Sequence, residues 1–322
     1  MGRRWWRMAA LVGLALASWL GGAPDPARAE TQIELGLQGG YRQDALDWSI
    51  AGSVDVLSEL EWKALEIYQL QLTAALVGEP LRFGPRLAGR ALLGAGVIVA
   101  GENRDSDYAG NGRTLEFSRS NNDAGDGRII DLSLGGGVQF EPSAGLHLTP
   151  LLGYSHHEQQ LVLQDGVQTL SQPQLVPHFP FSPPALGPLR GLDSRYDARW
   201  YGPWIGCDLS YQPSARWQLT GTAELHWGEM QAEADWNLRP DFAHPVSFRQ
   251  RADAYGLMLG AGGRYALDRH WSLVLAGRYS DWSTDSGLDQ IAFADGSVGV
   301  TRLNEVHWTS LALQAGVVYR FP

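Results

Sequence analysis

The chain has 322 residues, 44% of them hydrophobic and 19% charged, with a formal net charge of -10. Its mean hydropathy is -0.20, too polar for a polytopic helical membrane protein, while a 10% aromatic content supplies too much apolar surface for a disordered chain. Lys63 is the sole lysine and Cys207 the sole cysteine, so there is no electrostatic footprint for nucleic acid, no intrachain disulfide and no cysteine metal site.

The first element reads as an export signal. Arg3, Arg4 and Arg7 precede an apolar stretch from Met8 to Leu20, and Ala27-Arg28-Ala29 has the small-x-small form of a cleavage site. The stretch is too short to span a bilayer as a helix. Residues 1–29 are therefore expected to be a cleaved signal peptide, and residues 30–322 the mature domain.

From Glu30 onward apolar residues recur with a period of two, the period of strands. Tyr68-Leu70-Leu72-Ala74-Leu76, Ile205-Cys207-Leu209-Tyr211, Tyr255 to Tyr265 and Thr309 to Phe321 all show it. From Trp217 to Trp227 every odd position is apolar or small and every even one polar. A soluble sandwich also alternates, so the placement of aromatics decides. Tyr201 and Tyr211, Trp217 and Trp227, and Tyr255 and Tyr265 each bracket one such face. Ten residues, tilted roughly 45°, cover about 23 Å of membrane normal, close to the apolar band of an outer-membrane barrel with its two aromatic girdles.

Short turns are expected at 78–80, 141–145, 212–216 and 267–270, and long polar connections near 45–58, 101–127, 165–195, 235–248 and 284–302. The fold class is thus all-β: a transmembrane antiparallel β-barrel of about ten strands, with short periplasmic turns and long extracellular loops. Lipid-loving residues would face outward and wettable ones inward. Closure satisfies every backbone donor and acceptor within the bilayer. The expected location is the bacterial outer membrane.

Two constellations could carry chemistry. Asp105 and Asp107, at i and i+2 on an extended segment, face the same way and compete for protons, as a water-activating pair requires. The same carboxylates also suit an ordinary solvated loop. A calcium loop fails, because Tyr108 stands at the glycine position and Thr114 at the bidentate glutamate position. The second constellation follows the seventh strand, with Asp235, Asn237, Arg239, Asp241 and His244. Parity counted from Trp227 points Asp235 outward, and a bulge would be needed to turn it into the barrel mouth.

On this layout the chain resembles the omptin family, ten-stranded outer-membrane barrels that cleave peptides at their extracellular mouth. The resemblance rests on Ser58-Glu59-Leu60-Glu61-Trp62-Lys63, on Asp105-Ser106-Asp107-Tyr108 followed by Ser118-Arg119, and on Trp204-Ile205-Gly206, Ser210-Tyr211 and the strand through Trp227. It implies that Asp105 and Asp107 form one half of a water-activating site and Asp235 the aspartate of the other half. The family histidine falls on Asn237, which has no titratable base. His244 could replace it only if the loop folds back. Arg199 fits one lipopolysaccharide-binding position, while Glu158 stands where another arginine is expected. The run Glu233-Ala234-Asp235-Trp236-Asn237-Leu238-Arg239 also resembles barrels related to the Protochlamydia outer-membrane proteins, a likeness that implies no reaction.

These departures favour a noncatalytic surface, envelope or narrow-pore barrel. The alternatives are an endopeptidase using Asp105, Asp107, Asp235 and His244, and a passive channel, for which ten strands leave little lumen. Outer-membrane lipid and lipopolysaccharide are the expected partners, cationic peptides are further candidates given the acidic loops, and no cofactor or metal is expected.

Overall fold

The computed structural model describes residues 31–82, 84–177 and 182–322. The expected signal peptide lies outside the described residues. The strands are β1 (Gln32–Ala51), β2 (Ser58–Pro80), β3 (Arg86–Gly110), β4 (Thr114–Asp123), β5 (Gly127–Ser143), β6 (Leu146–Ser171), β7 (Gly187–Pro188), β8 (Asp193–Tyr211), β9 (Trp217–Asp235), β10 (Phe248–Ala266), β11 (Trp271–Thr284), β12 (Gly287–Ala292) and β13 (Val298–Arg320). All pair antiparallel in one 13-stranded sheet. They make ten staves, because β4 and β5 both lie between β3 and β6, β11 and β12 both lie between β10 and β13, and the two-residue β7 lies against β6 just beyond the stretch that pairs with β8. Pairing of β1 with β13, from Glu34 opposite Arg320 to Ala51 opposite Arg302, closes the ring and leaves no edge along the wall.

Four short turns stand at one end, as expected. At the other end, the segments 101–127 and 284–302, expected as long loops, are mostly strand. β3 runs to Gly110 and β4 begins at Thr114, while β12 and β13 leave only residues 293–297 between them. Polar composition marks solvation, and here it marks staves that continue beyond the apolar band into water.

The expectation of a wettable interior needs a correction at this mouth end. Between the turns and the row Tyr41, Tyr68, Trp227, Tyr255 and Tyr279, outward positions such as Leu70, Leu152 and Leu311 are exposed and apolar. Inward positions there include Gln69, Gln71, Glu224 and Gln314, all buried. Above that row the two faces exchange character. On β9 Glu229, Gln231, Glu233 and Asp235 lie on the outward side, alternating with Met230, Ala232 and Ala234 in the core. On β1 Asp47 alternates with the buried Leu46 and Trp48, and on β8 Asp197 and Arg199 alternate with the buried Tyr196, Ala198 and Trp200. Alternation is unbroken, yet the medium outside has changed from lipid to water, so the apolar residues turn in and pack on one another.

Large rings fill this upper interior. Trp62 and Tyr196 stack at 5.2 Å, Trp48 and Tyr196 at 6.0 Å, and Trp282 and Trp308 at 5.9 Å. Glycine makes room for two of the rings: a Cβ on Gly256 would lie 2.5 Å from the Trp282 ring, and one on Gly153 would lie 2.4 Å from the Trp204 ring.

Candidate functional site

A bulge brings the first aspartate pair to the inside. Up to Ile98 the even residues of β3 face the core; opposite β2, Ile98 pairs with Ile67 and Ala100 with Glu66, so one extra residue enters β3 and the odd residues turn inward. Asn103, Asp105 and Asp107 then share the inner face with Ser118, Ser120 and Asn122 of β4. Asn122 Nδ2 donates to Asn103 Oδ1 at 2.7 Å and to Ser120 Oγ at 3.0 Å, and Gln168 Nε2 donates to Ser118 Oγ at 3.0 Å. The hydroxyls of Ser58 and Ser118 hydrogen-bond Asp107. Asp105 Oδ1 is buried with no hydrogen-bond partner. Burial, and then the neighbouring Asp107, push the Asp105 carboxyl well above the usual carboxylate range. Burial also raises Asp107, against the opposing effect of its two serine partners and of Arg239.

The cation facing this pair is Arg239, which acts electrostatically on both carboxyls. It comes from the connection 236–247 between β9 and β10, which folds back. Arg239 makes two bonds to Asp241, Nε to Oδ1 at 2.9 Å and Nη2 to Oδ2 at 2.7 Å, with its guanidinium 3.9 Å from the Phe242 ring centre. Phe242 meets Phe293 at 5.9 Å, and the backbone N–H of Ala243 donates to Ala292 O at 2.8 Å, which ties the connection to the β12–β13 hairpin.

Asp235 and His244 do meet, with Oδ1 and Nδ1 2.6 Å apart. They do so away from the first pair. β9 keeps its register with β8 and β10 through the last turn of pairing, so Asp235 stays on the outward row with Glu233, whose partner across the strand is Arg249 at 2.8 Å. Asn237 serves as a clip: its Oδ1 accepts from the Asp193 backbone N–H at 3.0 Å and from the Ser194 hydroxyl at 3.1 Å, and its Nδ2 donates to Gly191 O at 2.7 Å. Arg199 lies on the outer wall, 3.9 Å from Glu158. Among the described residues no three His, Cys, Asp or Glu side chains converge to hold a metal.

Below the aromatic core the lumen holds a buried ionic layer that motif reading missed, because its members lie far apart in sequence. Arg42 bonds Asp44 at 2.7 and 2.5 Å and Asp131 at 2.7 Å. Asp131 also meets His157 Nδ1 at 2.8 Å, and Asp44 accepts from Trp308 Nε1 and Gln159 Nε2, each at 3.0 Å. A second cluster joins Arg90 to Glu224 at 2.7 Å and Asp208 at 3.3 Å, with His226 bridging Glu224 at 2.9 Å and Ser155 at 3.0 Å. Period-two arithmetic places each residue on the inner face, but the cross-lumen partners emerge only once the ring is closed.

Residues 36–321 match the protein family described as Protochlamydia outer membrane protein. The chain belongs to that family. Members of the Protochlamydia outer membrane protein family are outer-membrane proteins by description. Among solved structures, the outer membrane protease OmpT from Escherichia coli superposes with a TM-score of 0.67 at 14% identity, over 94% of this chain and 99% of that one. The outer membrane protein OprG from Pseudomonas aeruginosa covers 91% of this chain and 97% of its own at 14% identity, with a TM-score of 0.34. A comparison with curated proteins gave no match. At such identity the likeness to OmpT extends to the fold of the barrel, and the residues of the mouth must speak for themselves.

Proposed function

We propose that this member of the Protochlamydia outer membrane protein family is a closed, noncatalytic barrel that acts at the cell surface, presenting its mouth hairpins to the exterior. The observation that carries this reading is the charge at the mouth: the cation that acts through space on Asp105 and Asp107 is Arg239, a group that cannot accept a proton at neutral pH, whereas a water-activating site would need a histidine there. The Asp235–His244 pair lies on the outer wall instead. The aromatic core argues in addition against passage through the lumen, because a dry, ring-filled interior has no water path. The two outward aromatic sets, Tyr41, Tyr68, Trp227 and Tyr255 at one level and Tyr211, Trp217 and Trp271 at the other, fit the girdles of a bilayer-spanning wall. Export by the signal peptide 1–29, contact with lipopolysaccharide near Arg199, and attraction of cationic peptides to the acidic loops belong to the same reading.

The test is a pair of measurements on the mature chain refolded in detergent with lipopolysaccharide. Incubation with a library of basic peptides is expected to leave them intact, and planar bilayers are expected to show no stepwise conductance. Steady channel openings, or cleavage that is lost in Asp105→Ala, would defeat the proposal. The second reading, an endopeptidase, draws on the 2.6 Å contact of Asp235 with His244. It requires cleavage that disappears in Asp105→Ala, Asp107→Ala and His244→Ala alike.

A further inference from the structure

The carboxylates of the lumen layer, Asp44, Asp131, Asp208 and Glu224, are paired with Arg42 and Arg90. Arg278 stands in the same layer and adds a third guanidinium, on which Glu224 and Asp131 act through space. The layer is close to charge balance, so a particle seated against it gains nothing by carrying a charge of its own. Two of its polar side chains nonetheless lack partners. Gln69, 4% exposed, has neither Nε2 nor Oε1 bonded, and His157, 3% exposed, has Nε2 unpartnered.

Gln69 belongs to β2 and His157 to β6, staves that do not adjoin. Both nevertheless line one cavity of about 20 Å³, with Arg278, Ser280, Ser310 and Ala312 also on its wall. Buried amide and imidazole groups in folded chains bond either to protein or to ordered water, and leaving them unpaired is costly. Here the unpaired atoms belong to two residues that share a space across the lumen.

We infer that this cavity is the site of one structural water, which ties Gln69 of β2 to His157 of β6. Size sets the occupant, because about 20 Å³ admits a single water-sized particle. Charge sets it as well: Asp131 on the wall opposes an anion, and Arg278 opposes a cation. The bonding capacities match. His157 Nδ1 faces Asp131 Oδ1 at 2.8 Å, and since a carboxylate oxygen accepts, Nδ1 carries a proton. Nε2 is then an acceptor in the neutral ring and a donor in the imidazolium, and a water can meet either. Gln69 offers one acceptor and one amide donor group, so two of the two to four polar partners a buried water takes are in place before the serine hydroxyls are counted. Through this water the run of bonds from Arg42 to Asp131 to His157 reaches β2, and β1, β5, β6 and β2 are tied together inside the wall. The inference stands on the lumen alone and is independent of whether the mouth has any activity.

A crystal structure of the mature chain, at a resolution that shows ordered solvent, should carry one density peak within about 3.2 Å of both a Gln69 amide atom and His157 Nε2. Gln69→Leu, which removes one anchor, should lose the peak and lower the thermal midpoint in detergent by about 2 °C or more. Ala312→Val keeps every polar group and pushes added methyl volume into the space. It too should lose the peak and lower the midpoint, because the evicted water leaves its partners unpaired, and it serves if Gln69→Leu fails to reach the heat-modifiable folded form. A cavity without density, or a Gln69 amide bonded directly to His157, would overturn the inference. So would a higher midpoint in Ala312→Val, the response of a dry void that has been filled.

Discussion

Trp200→Ala probes the exchange of faces above the aromatic row. Trp200 has no exposure, and its ring centre lies 5.8 Å from that of Trp282 and 5.8 Å from that of Trp308. If the mouth half is a dry core, the substitution removes roughly 200 Å² of apolar burial, about 5 kcal/mol at 25 cal/mol per Å² as an upper bound. Partial collapse of the cavity lowers that figure, so the expected loss is about 3–5 kcal/mol, the range of buried Trp→Ala substitutions. The control is Gln231→Ala, on the outward row and opposite Arg199, which should stay within about 0.5 kcal/mol. Urea titration in detergent, followed by tryptophan fluorescence and by heat-modifiable migration, gives both values. If Trp200→Ala cost less than about 1 kcal/mol, the ring would already be hydrated in the native state, and the dry core with the closure drawn from it would fall.

Ala234→Asp and Asp235→Ala, neighbours of opposite parity, should diverge sharply in the same titration: the first buries an unpaired carboxylate at 2% exposure and should prevent folding or cost several kcal/mol, while the second should stay near wild type. Equal effects would refute the side assigned to Asp235. His307 lies 3.1 Å from Asp281 and 3.6 Å from Asp47, and the hydrogen bond to Asp47, followed by that to Asp281, lifts its pKa to about 9 against partial burial. A raised cationic pKa contributes stability that is full below the unfolded value near 6.5 and is lost as pH climbs through about 9. His307→Gln should therefore flatten the wild-type decline over that window, by less than about 1 kcal/mol because the ring is partly solvated; an unchanged pH profile would contradict the pairing. Asp105 has the opposite sign: a carboxyl held above its ordinary value costs stability once it is ionised, and that cost is relieved as pH falls. Asp105→Asn should raise the urea midpoint at neutral pH and lose the advantage in acid, and a lower midpoint at neutral pH would show the carboxylate to be stabilised by a partner.

Much of the barrel is legible in the chain because one rule covers most of it. Between Trp217 and Trp227, or Tyr255 and Tyr265, each residue's side of the wall follows from parity. The same rule has two blind spots. It is symmetric, so it cannot say which face holds the oily residues once the outer medium changes. Leu46, Trp48, Met230 and Ala232 alternate as regularly as Leu35 and Leu37 do, yet the first set faces in and the second out. It also fails silently at an inserted residue. The extra residue near Val99 in β3 turns Asp105 and Asp107 inward, whereas β9 carries no such shift and Asp235 stays outward.

The mouth is decided by those two local events together with the return of one connection. Had β9 carried a bulge after Met230, Asp235 would face the lumen and His244 could follow it. With the register intact, the return of residues 236–247 delivers Arg239 to the aspartates and leaves His244 outside. Asn237, at the position where the resemblance expects a histidine, is spent on three hydrogen bonds that pin this connection to residues 191–194. The clip, the straight strand and the inward arginine are mutually dependent. A change at one of them, such as a histidine at 237, would therefore release the connection from residues 191–194 before it could assemble a base beside Asp105.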